Sequence, residues 1–442
     1  MPTAMEIYKL LPKKNCGECK FPTCLAFAMQ LANQKVALAA CPYVSPEAKV
    51  ALEESGAPPI KLVTFGTADA AAKIGDETQL FRHDKAFFHP TVLGIIADDA
   101  EGIDMVKAKL ETARSLSFER VGQIIRVDSV AVRHSTGTPQ EFLDAVRYAA
   151  GIGLPVTIMT EDPKLMAEAL ALCAPGRPLL YRATPQNFDD MITVAKACAF
   201  PLVIGGTASA EELSSLTEKA KKAGVVDLVL EPSGSTANDM LEKLTTIRRA
   251  AIKKKFRPLG YPTVTVLGKS PRDEIKAALG VMKYSSMVLM EDVSREFIYP
   301  LMALRQNIFT DPQVPIQVKA GLYKVGEPTD KSPVLFTSNF SLTYFTVRAD
   351  IEKSKLPVWL LVVDTDGQSV MTAFAAGKLT PESVAKAIEA EKVKEKNTRN
   401  ELMIPGQVSR MSGKLNELTN MKVVVGPRES SGLPKVLKAM SV

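Results

Sequence analysis

The chain has 442 residues, 46% hydrophobic and 24% charged, with a formal net charge of +6; this is globular usage, enough at roughly 150 residues per domain for two to four domains, and it excludes a disordered chain. Lys and Arg are mixed with Asp and Glu rather than gathered in a stripe, so no nucleic acid is expected as a partner. The longest apolar runs, such as Val358–Val363, fall short of the about 20 residues that cross a bilayer, and Met1–Leu11 lacks a signal-peptide core, so no membrane is expected and the chain reads as cytoplasmic.

Residues 1–57 form the first region. Six cysteines are too few for a disulfide-stapled fold, yet four lie within the first 41 positions. Their spacing is C-x2-C-x4-C-x16-C: Cys16-Gly-Glu-Cys19-Lys-Phe-Pro-Thr-Cys24, then Cys41-Pro42. Three close thiolates and a distant fourth can enclose a 4Fe-4S cluster, which thiolate suits. Leu25–Val36 reads as a helix that returns Cys41 to the loop. A structural zinc site also uses four cysteines but favours two C-x2-C knuckles, and only one pair here has that spacing. Disulfides do not suit a cytoplasmic chain, and Cys173 and Cys198 read as small buried residues. Ala57-Pro58-Pro59 closes the region, and 58–90 reads as a linker.

Residues 91–325 alternate short apolar runs with helical periods. The runs are Val92–Ala97, Ser129–Arg133, Pro155–Met159, Pro178–Tyr181, Pro201–Ile204, Asp227–Leu230, Thr263–Leu267 and Met287–Met290. The helices are expected at Gln140–Ala150, Lys164–Cys173, Asp189–Cys198, Ala210–Ala223, Asp239–Ile252, Asp273–Met282 and Glu296–Asn307. Strand–helix alternation implies parallel strands with helical crossovers, and eight units point to a (β/α)8 TIM barrel, although periodicity alone leaves room for an open doubly wound sheet. His83, His89 and His134 are the three histidines. His134, Glu231 and Asp292 fall at strand ends where barrel active sites form, but they make no acid–base pair or metal-ligand set. The barrel therefore reads as a scaffold.

Residues 326–442 change rhythm. Runs Val334–Phe336, Tyr344–Val347, Val358–Val363, Leu402–Ile404 and Val423–Val425 read as strands, and Pro381–Ala390, Val408–Leu418 and Leu433–Met440 as helices: a smaller α/β domain of Rossmann type. Polar turns follow three strands, at Thr337–Thr343, Asp364–Ala373 and Gly426–Gly432. Such turns hold ligands at strand C-terminal ends. No G-x-G-x-x-G is present, which disfavours a dinucleotide.

Lys13-Lys14-Asn15-Cys16-Gly17-Glu18-Cys19, Pro22-Thr23-Cys24, Cys41-Pro42, Thr337–Thr343, Val363–Thr372 and Gly426–Gly432 together make the chain resemble the large (gamma) subunit of the corrinoid iron–sulfur protein, which belongs to the acetyl-CoA synthase/carbon monoxide dehydrogenase (Wood–Ljungdahl) system of anaerobes. The resemblance covers essentially the whole chain. It implies an N-terminal 4Fe-4S domain with Cys16, Cys19, Cys24 and Cys41 as ligands, a central barrel that pairs with a small (delta) subunit as a heterodimer, and a C-terminal Rossmann-like cobalamin-binding domain. By position, Thr337, Thr343, Gly367, Gln368, Ser369, Val370 and a residue near Ser431 would contact the cobalamin, with Thr372 near its lower face. The resemblance implies a base-off cobalamin, with its benzimidazole detached and no protein ligand in its place, and a domain without histidine is consistent with that.

The implied role is that of a methyl carrier without catalytic residues of its own. Low-valent cobalt would accept a methyl group from methyl-tetrahydrofolate or a methyl-tetrahydropterin through a methyltransferase and deliver it to acetyl-CoA synthase, and the cluster would restore oxidised cobalt. Such a carrier must face two partners, so a hinge is expected near Val325–Ser332. Two rival readings stand beside it: a barrel methyltransferase that binds the pterin itself, and an electron-transfer adaptor without corrinoid.

Overall fold

The computed structural model describes residues 3–440 other than 34, 47, 50–51, 53–56, 82–88, 136, 233, 269, 271–272 and 310–314; His83 lies outside the described residues. The chain divides into two compact units: the cysteine segment with the barrel, and residues 306–442 together with 117–126.

In chain order, the first unit contains a hairpin of β1 (Val63–Phe65) and β2 (Ala72–Ile74), then β3 (Val92–Asp98). A second hairpin, β4 (Ser117–Arg120) and β5 (Gln123–Arg126), belongs to the other unit. The barrel continues with β6 (Ser129–Arg133), β7 (Val156–Met159), β8 (Leu179–Ala183), β9 (Leu202–Ile204), β10 (Leu228–Leu230), β11 (Val264–Val266) and β12 (Met287–Met290). All eight barrel strands are parallel, in the order β10-β9-β8-β7-β6-β3-β12-β11. The circuit closes through a parallel bridge between Leu230 and Thr263, where the Leu230 amide donates to the Pro262 carbonyl at 2.8 Å. Closure decides against the open sheet. All seven residues of β3 are buried, as expected of a strand covered on both faces.

The stretch 58–90 is more than a linker. Val63, Phe65, Ala72 and Ile74 enter the same apolar cluster as Ile96, Met159, Leu179 and Met287 of the barrel. The hairpin sits at the N-terminal ends of the strands: Gly66 donates to Arg177, which precedes β8, and Lys61 pairs with Asp227, which precedes β10. Burying Phe65 and Ile74 contributes about 1.5–3 kcal/mol each. Three-residue strands are too short for alternation to be read against noise, which is why the sequence concealed them. Arg248 adds a fully buried bond to Glu77 and donates to the carbonyls of Gln79 and Leu80.

In the second unit, β13 (Gly321–Val325), β14 (Val334–Ser338), β15 (Val358–Val363), β16 (Glu401–Ile404) and β17 (Lys422–Val425) form one sheet in the order β13-β15-β14-β16-β17. Only β13 is antiparallel. The helices α1 (Ser341–Ser354) and α5 (Leu433–Met440) bury Tyr344, Ile351, Leu433 and Leu437 on one face, while α2 (Val370–Ala375), α3 (Pro381–Ala390) and α4 (Ser412–Thr419) cover the other. The four parallel strands run 2-1-3-4, so the chain reverses direction across the sheet between β14 and β16.

Three expectations change here. Tyr344–Val347 is not a strand but part of α1: its aromatic and β-branched residues mimic a strand, and tertiary packing of Tyr344 and Ile351 seven residues apart overrides that propensity. The helix expected at Val408–Leu418 is a 3-10 turn at Gly406–Met411 followed by α4, because Val408 leaves helical geometry. The expected hinge at Val325–Ser332 lies inside the unit and is pinned: the Trp359 indole donates to Thr329 at 2.9 Å, and Asn397 donates to Ser332 at 2.7 Å. The described chain passes instead between units at 116/117, 126/127 and 305/306. Arg305 and Asp128, both beside those crossings, form an ion pair, and Asp128 also accepts the Leu93 amide at 2.8 Å.

Removing one partner of a buried ion pair strands the other charge. Glu77→Ala is therefore expected to destabilise the barrel by about 3–5 kcal/mol in urea unfolding, whereas Glu111→Ala, on the exposed barrel surface, should change it by under about 0.5 kcal/mol.

Candidate functional site

The cysteine segment is built around a helix, Cys24–Ala32, that starts at the third cysteine. Thr23 caps it, its hydroxyl accepting the Ala26 amide at 3.1 Å, and the Asn15 carboxamide oxygen accepts the Cys24 amide at 2.8 Å. A 3-10 turn at Leu38–Ala40 then delivers Cys41. Cys19, Cys24 and Cys41 are 9%, 6% and 9% exposed and share an apolar cluster with Ile7, Leu11, Phe27 and Ala28, while Cys16 stands on an exposed loop. None of the four forms a disulfide. The Tyr43 hydroxyl donates to Glu18 at 2.7 Å, and that bond, then the Glu18 charge, raises the phenol above its ordinary pKa. Among the described residues, no three His, Cys, Asp or Glu side chains converge on one ion. A 4Fe-4S cube takes one thiolate at each of four irons, so its ligands stand farther apart than those of a single ion, and this donor set has the chemistry it needs.

The second site is a cavity of about 420 Å³ in the C-terminal unit, where the sheet reverses between β14 and β16. Leu335, Phe336 and Thr337 of β14, Met403 and Ile404 of β16, and Gly426–Ser430 beyond β17 line it. Sheets of this kind bind ligands outside the strand C-terminal ends at that reversal. Thr337 Oγ1, Ser338 Oγ and Gln368 Oε1 are buried without a hydrogen-bond partner. Such atoms each cost free energy; Ser129 Oγ and Thr157 Oγ1 in the barrel share that state, and Thr337 is set apart because it lines the cavity.

Asn339 organises the neighbouring turn. Its side-chain oxygen accepts the Thr365 amide at 3.0 Å, the Thr365 hydroxyl at 2.8 Å and the Gly367 amide at 3.0 Å, while its nitrogen donates to Asp364 at 2.9 Å. Gly367 has φ +71°, and a Cβ there would stand 2.6 Å from Gln317 Cγ, so only glycine fits.

Of the expected contacts, Thr337, Thr343, Ser369 and Val370 line the cavity. Gly367 and Gln368 lie in the Asn339-bound turn, and Thr372 meets the Ser369 hydroxyl at 2.9 Å rather than lining the cavity. Ser431 is not among the lining residues; its neighbour Ser430 is. Sequence reasoning gave no role to Asn339, nor to Leu342 and Met371, which line the cavity at 55% and 47% exposure. An Asn directly after an apolar strand, facing an Asp-Thr-Asp-Gly turn, was the signal available for the first.

At the barrel mouth the charged groups are bound to each other. Arg133 bridges Asp98 at 2.5 Å and Glu291 at 2.7 Å; burial opposes its charge, but those two carboxylates outweigh it and raise its pKa. Arg182 bridges Glu161 at 2.9 Å and Glu231. His134 Nδ1 meets the buried Asp99 at 2.5 Å.

A family model described as CO dehydrogenase/acetyl-CoA synthase delta subunit matches residues 62–437, and one described as "Putative Fe-S cluster" matches residues 11–43. The chain is 44% identical over 440 residues to the corrinoid/iron-sulfur protein large subunit of Moorella thermoacetica, covering 99% of this chain and 98% of that one. It is 32% identical over 454 residues to the acetyl-CoA decarbonylase/synthase complex subunit gamma of Methanothermobacter thermautotrophicus, covering 99% of each. A solved dihydropteroate synthase from Thermus thermophilus aligns with TM-score 0.38 and 16% identity over 55% of this chain and 99% of its own. The delta-named model begins after the cysteine segment, whereas the large and gamma subunits align over essentially the whole chain.

Two substitutions test the site without any ligand, followed by fluorescence of Trp359, the only tryptophan. Thr337→Val removes an unbonded buried hydroxyl and should leave urea stability unchanged or raise it by up to about 1 kcal/mol. Asn339→Ala leaves the Thr365 and Gly367 amides unbonded and should cost about 2–3 kcal/mol.

Proposed function

Because this chain belongs to the family of corrinoid/iron-sulfur protein large subunits and acetyl-CoA decarbonylase/synthase gamma subunits, we propose that it is the methyl carrier of the reductive acetyl-CoA pathway, holding a 4Fe-4S cluster on Cys16, Cys19, Cys24 and Cys41 and a base-off cobalamin on its C-terminal unit. The observation that carries this reading is the partnerless Thr337 hydroxyl in the cavity at the sheet reversal. When bound, the corrinoid supplies a low-valent cobalt nucleophile for the methyl group and the cluster supplies the electron that restores it after oxidation.

The chain's own residues explain the form of binding. Leu335, Phe336, Val347, Val370, Met403 and Leu433 give the cavity apolar walls that would suit the detached benzimidazole, and Thr337 Oγ1 would be free to bond a polar atom of the ligand. A cobalamin is larger than about 420 Å³, so part of it would remain outside, where the exposed Leu342 and Met371 would offer apolar surface. The three histidines all precede residue 135, so residues 306–442 offer no imidazole that would serve as a cobalt ligand. Ser369 and Thr372, bonded to each other, offer only neutral hydroxyls.

Its partners on this reading are a small (delta) subunit that completes the corrinoid site as a heterodimer, a methyl-tetrahydrofolate or methyl-tetrahydropterin methyltransferase, and acetyl-CoA synthase. The barrel-methyltransferase reading is weakened because Arg133, Arg182 and His134 already face carboxylates of this chain. An electron-transfer adaptor has no use for the C-terminal cavity.

Anaerobic metal analysis and visible spectroscopy of the chain purified with its small subunit test the proposal. About four irons and one cobalt per heterodimer are expected, with a base-off spectrum that does not change with pH. Iron without cobalt would leave the adaptor reading, and zinc would overturn the cluster. Thr337→Val, neutral for the ligand-free fold, should lower retained cobalt severalfold.

A further inference from the structure

The loop that carries Cys16 is exposed up to Cys19, where it enters the apolar cluster. Residues 13–18 are all exposed, and its backbone is left-handed at Lys13, Asn15, Gly17 and Lys20, with φ of 56°, 48°, 77° and 69°. An exposed loop in such a conformation needs specific bonds to keep it.

Two side-chain ties supply them. Asn15, directly before Cys16, accepts the amide of Cys24 at 2.8 Å, one of the N-terminal helix donors that has no partner within the helix. Glu18, directly before Cys19, accepts the hydroxyl of Tyr43, two residues after Cys41, at 2.7 Å. Lys14 places its ammonium 4.0 Å from the centre of the same Tyr43 ring. The ties therefore cross-link the four cysteines in pairs, Cys16 to Cys24 and Cys19 to Cys41, through groups that are not ligands.

We propose that Asn15 and the Glu18–Tyr43 pair are positioning residues that set the cysteine loop in liganding geometry before the cluster arrives. The inference rests on the reading of the four cysteines as a 4Fe-4S site. Ordering a loop costs conformational entropy, and that cost is charged against metal affinity unless the protein has already met it. Asn is suited to its position twice over: it tolerates φ +48° better than most residues, and its side-chain oxygen reaches the helix start. Because the ties also fix where the Glu18 carboxylate stands beside the loop, loosening them alters the electrostatics around the cluster as well as its retention.

The test uses the full chain with its small subunit, purified anaerobically. Asn15→Gly keeps the left-handed backbone and removes the acceptor; Asn15→Asp keeps an acceptor; Tyr43→Phe removes one hydroxyl and keeps the ring for Lys14. The readouts are the rate of iron release to a ferrous chelator and the cluster reduction potential by spectroscopically monitored titration. Asn15→Gly and Tyr43→Phe should each release iron severalfold faster than wild type with a shifted potential, and Asn15→Asp, which keeps the acceptor but adds a charge, should restore slow release. A variant that holds no iron while its barrel unfolds at the wild-type temperature also supports the inference. Wild-type release and potential in both Asn15→Gly and Tyr43→Phe overturn it while leaving the cluster reading intact; a wild-type protein without iron overturns both.

Discussion

A parallel strand buried on both faces has no solvent-facing side on which to place a polar side chain, so its chemistry collects at its ends. Both sheets obey this constraint. In the barrel, β3 is apolar and buried until Asp98, and the charged groups appear only where the strands stop. In the C-terminal sheet, Val334–Phe336 is followed by Thr337, Ser338 and Asn339, and Val358–Val363 by Asp364 and Thr365. What distinguishes the two sheets is whether those end groups find partners. At the barrel mouth Arg133 and Arg182 each lie between two carboxylates of the same chain, whereas at the end of β14 Thr337 and Ser338 keep buried hydroxyls without a partner. Ser129 and Thr157 of the barrel strands keep unbonded hydroxyls too, so the contrast lies in the cavity that Thr337 lines.

The legible features of the fold are those with long-range regularity. All eight barrel strands fall within two residues of the apolar runs, and Pro381–Ala390 and Leu433–Met440 match their helices at both ends, because apolar period and cap residues agree there. The features that were missed are local and depend on tertiary partners. The β4–β5 hairpin turns at Val121 and Gly122, both with positive φ, where no sequence rule would place a valine. Its packing explains it: a Cβ on Gly122 would meet the Phe345 ring at 2.5 Å. Tyr344–Val347 misled for the opposite reason, since its residue types favour a strand that the fold does not need there.

The candidate sites were legible to different depths. The cysteine spacing gave the candidate metal donors directly, because thiolate chemistry is carried by residue type. Polar turns after strands marked the candidate crevice, but which side chains line it depends on how the turns are folded, and the turn after β15 is organised by Asn339, whose one oxygen gathers Thr365 and Gly367. Thr372 and Ser431 show the limit: adjacent positions in a turn differ completely in whether they reach the cavity.

Of the crossings between units that lie in described residues, two flank the β4–β5 hairpin, whose return leads into Asp128, and one follows Arg305; Asp128 and Arg305, both of the first unit, are bonded to each other. The exits of the chain from the barrel unit are thus riveted to that unit's own frame, and loss of the rivet would be felt first at the start of β3, where Asp128 also holds the Leu93 amide.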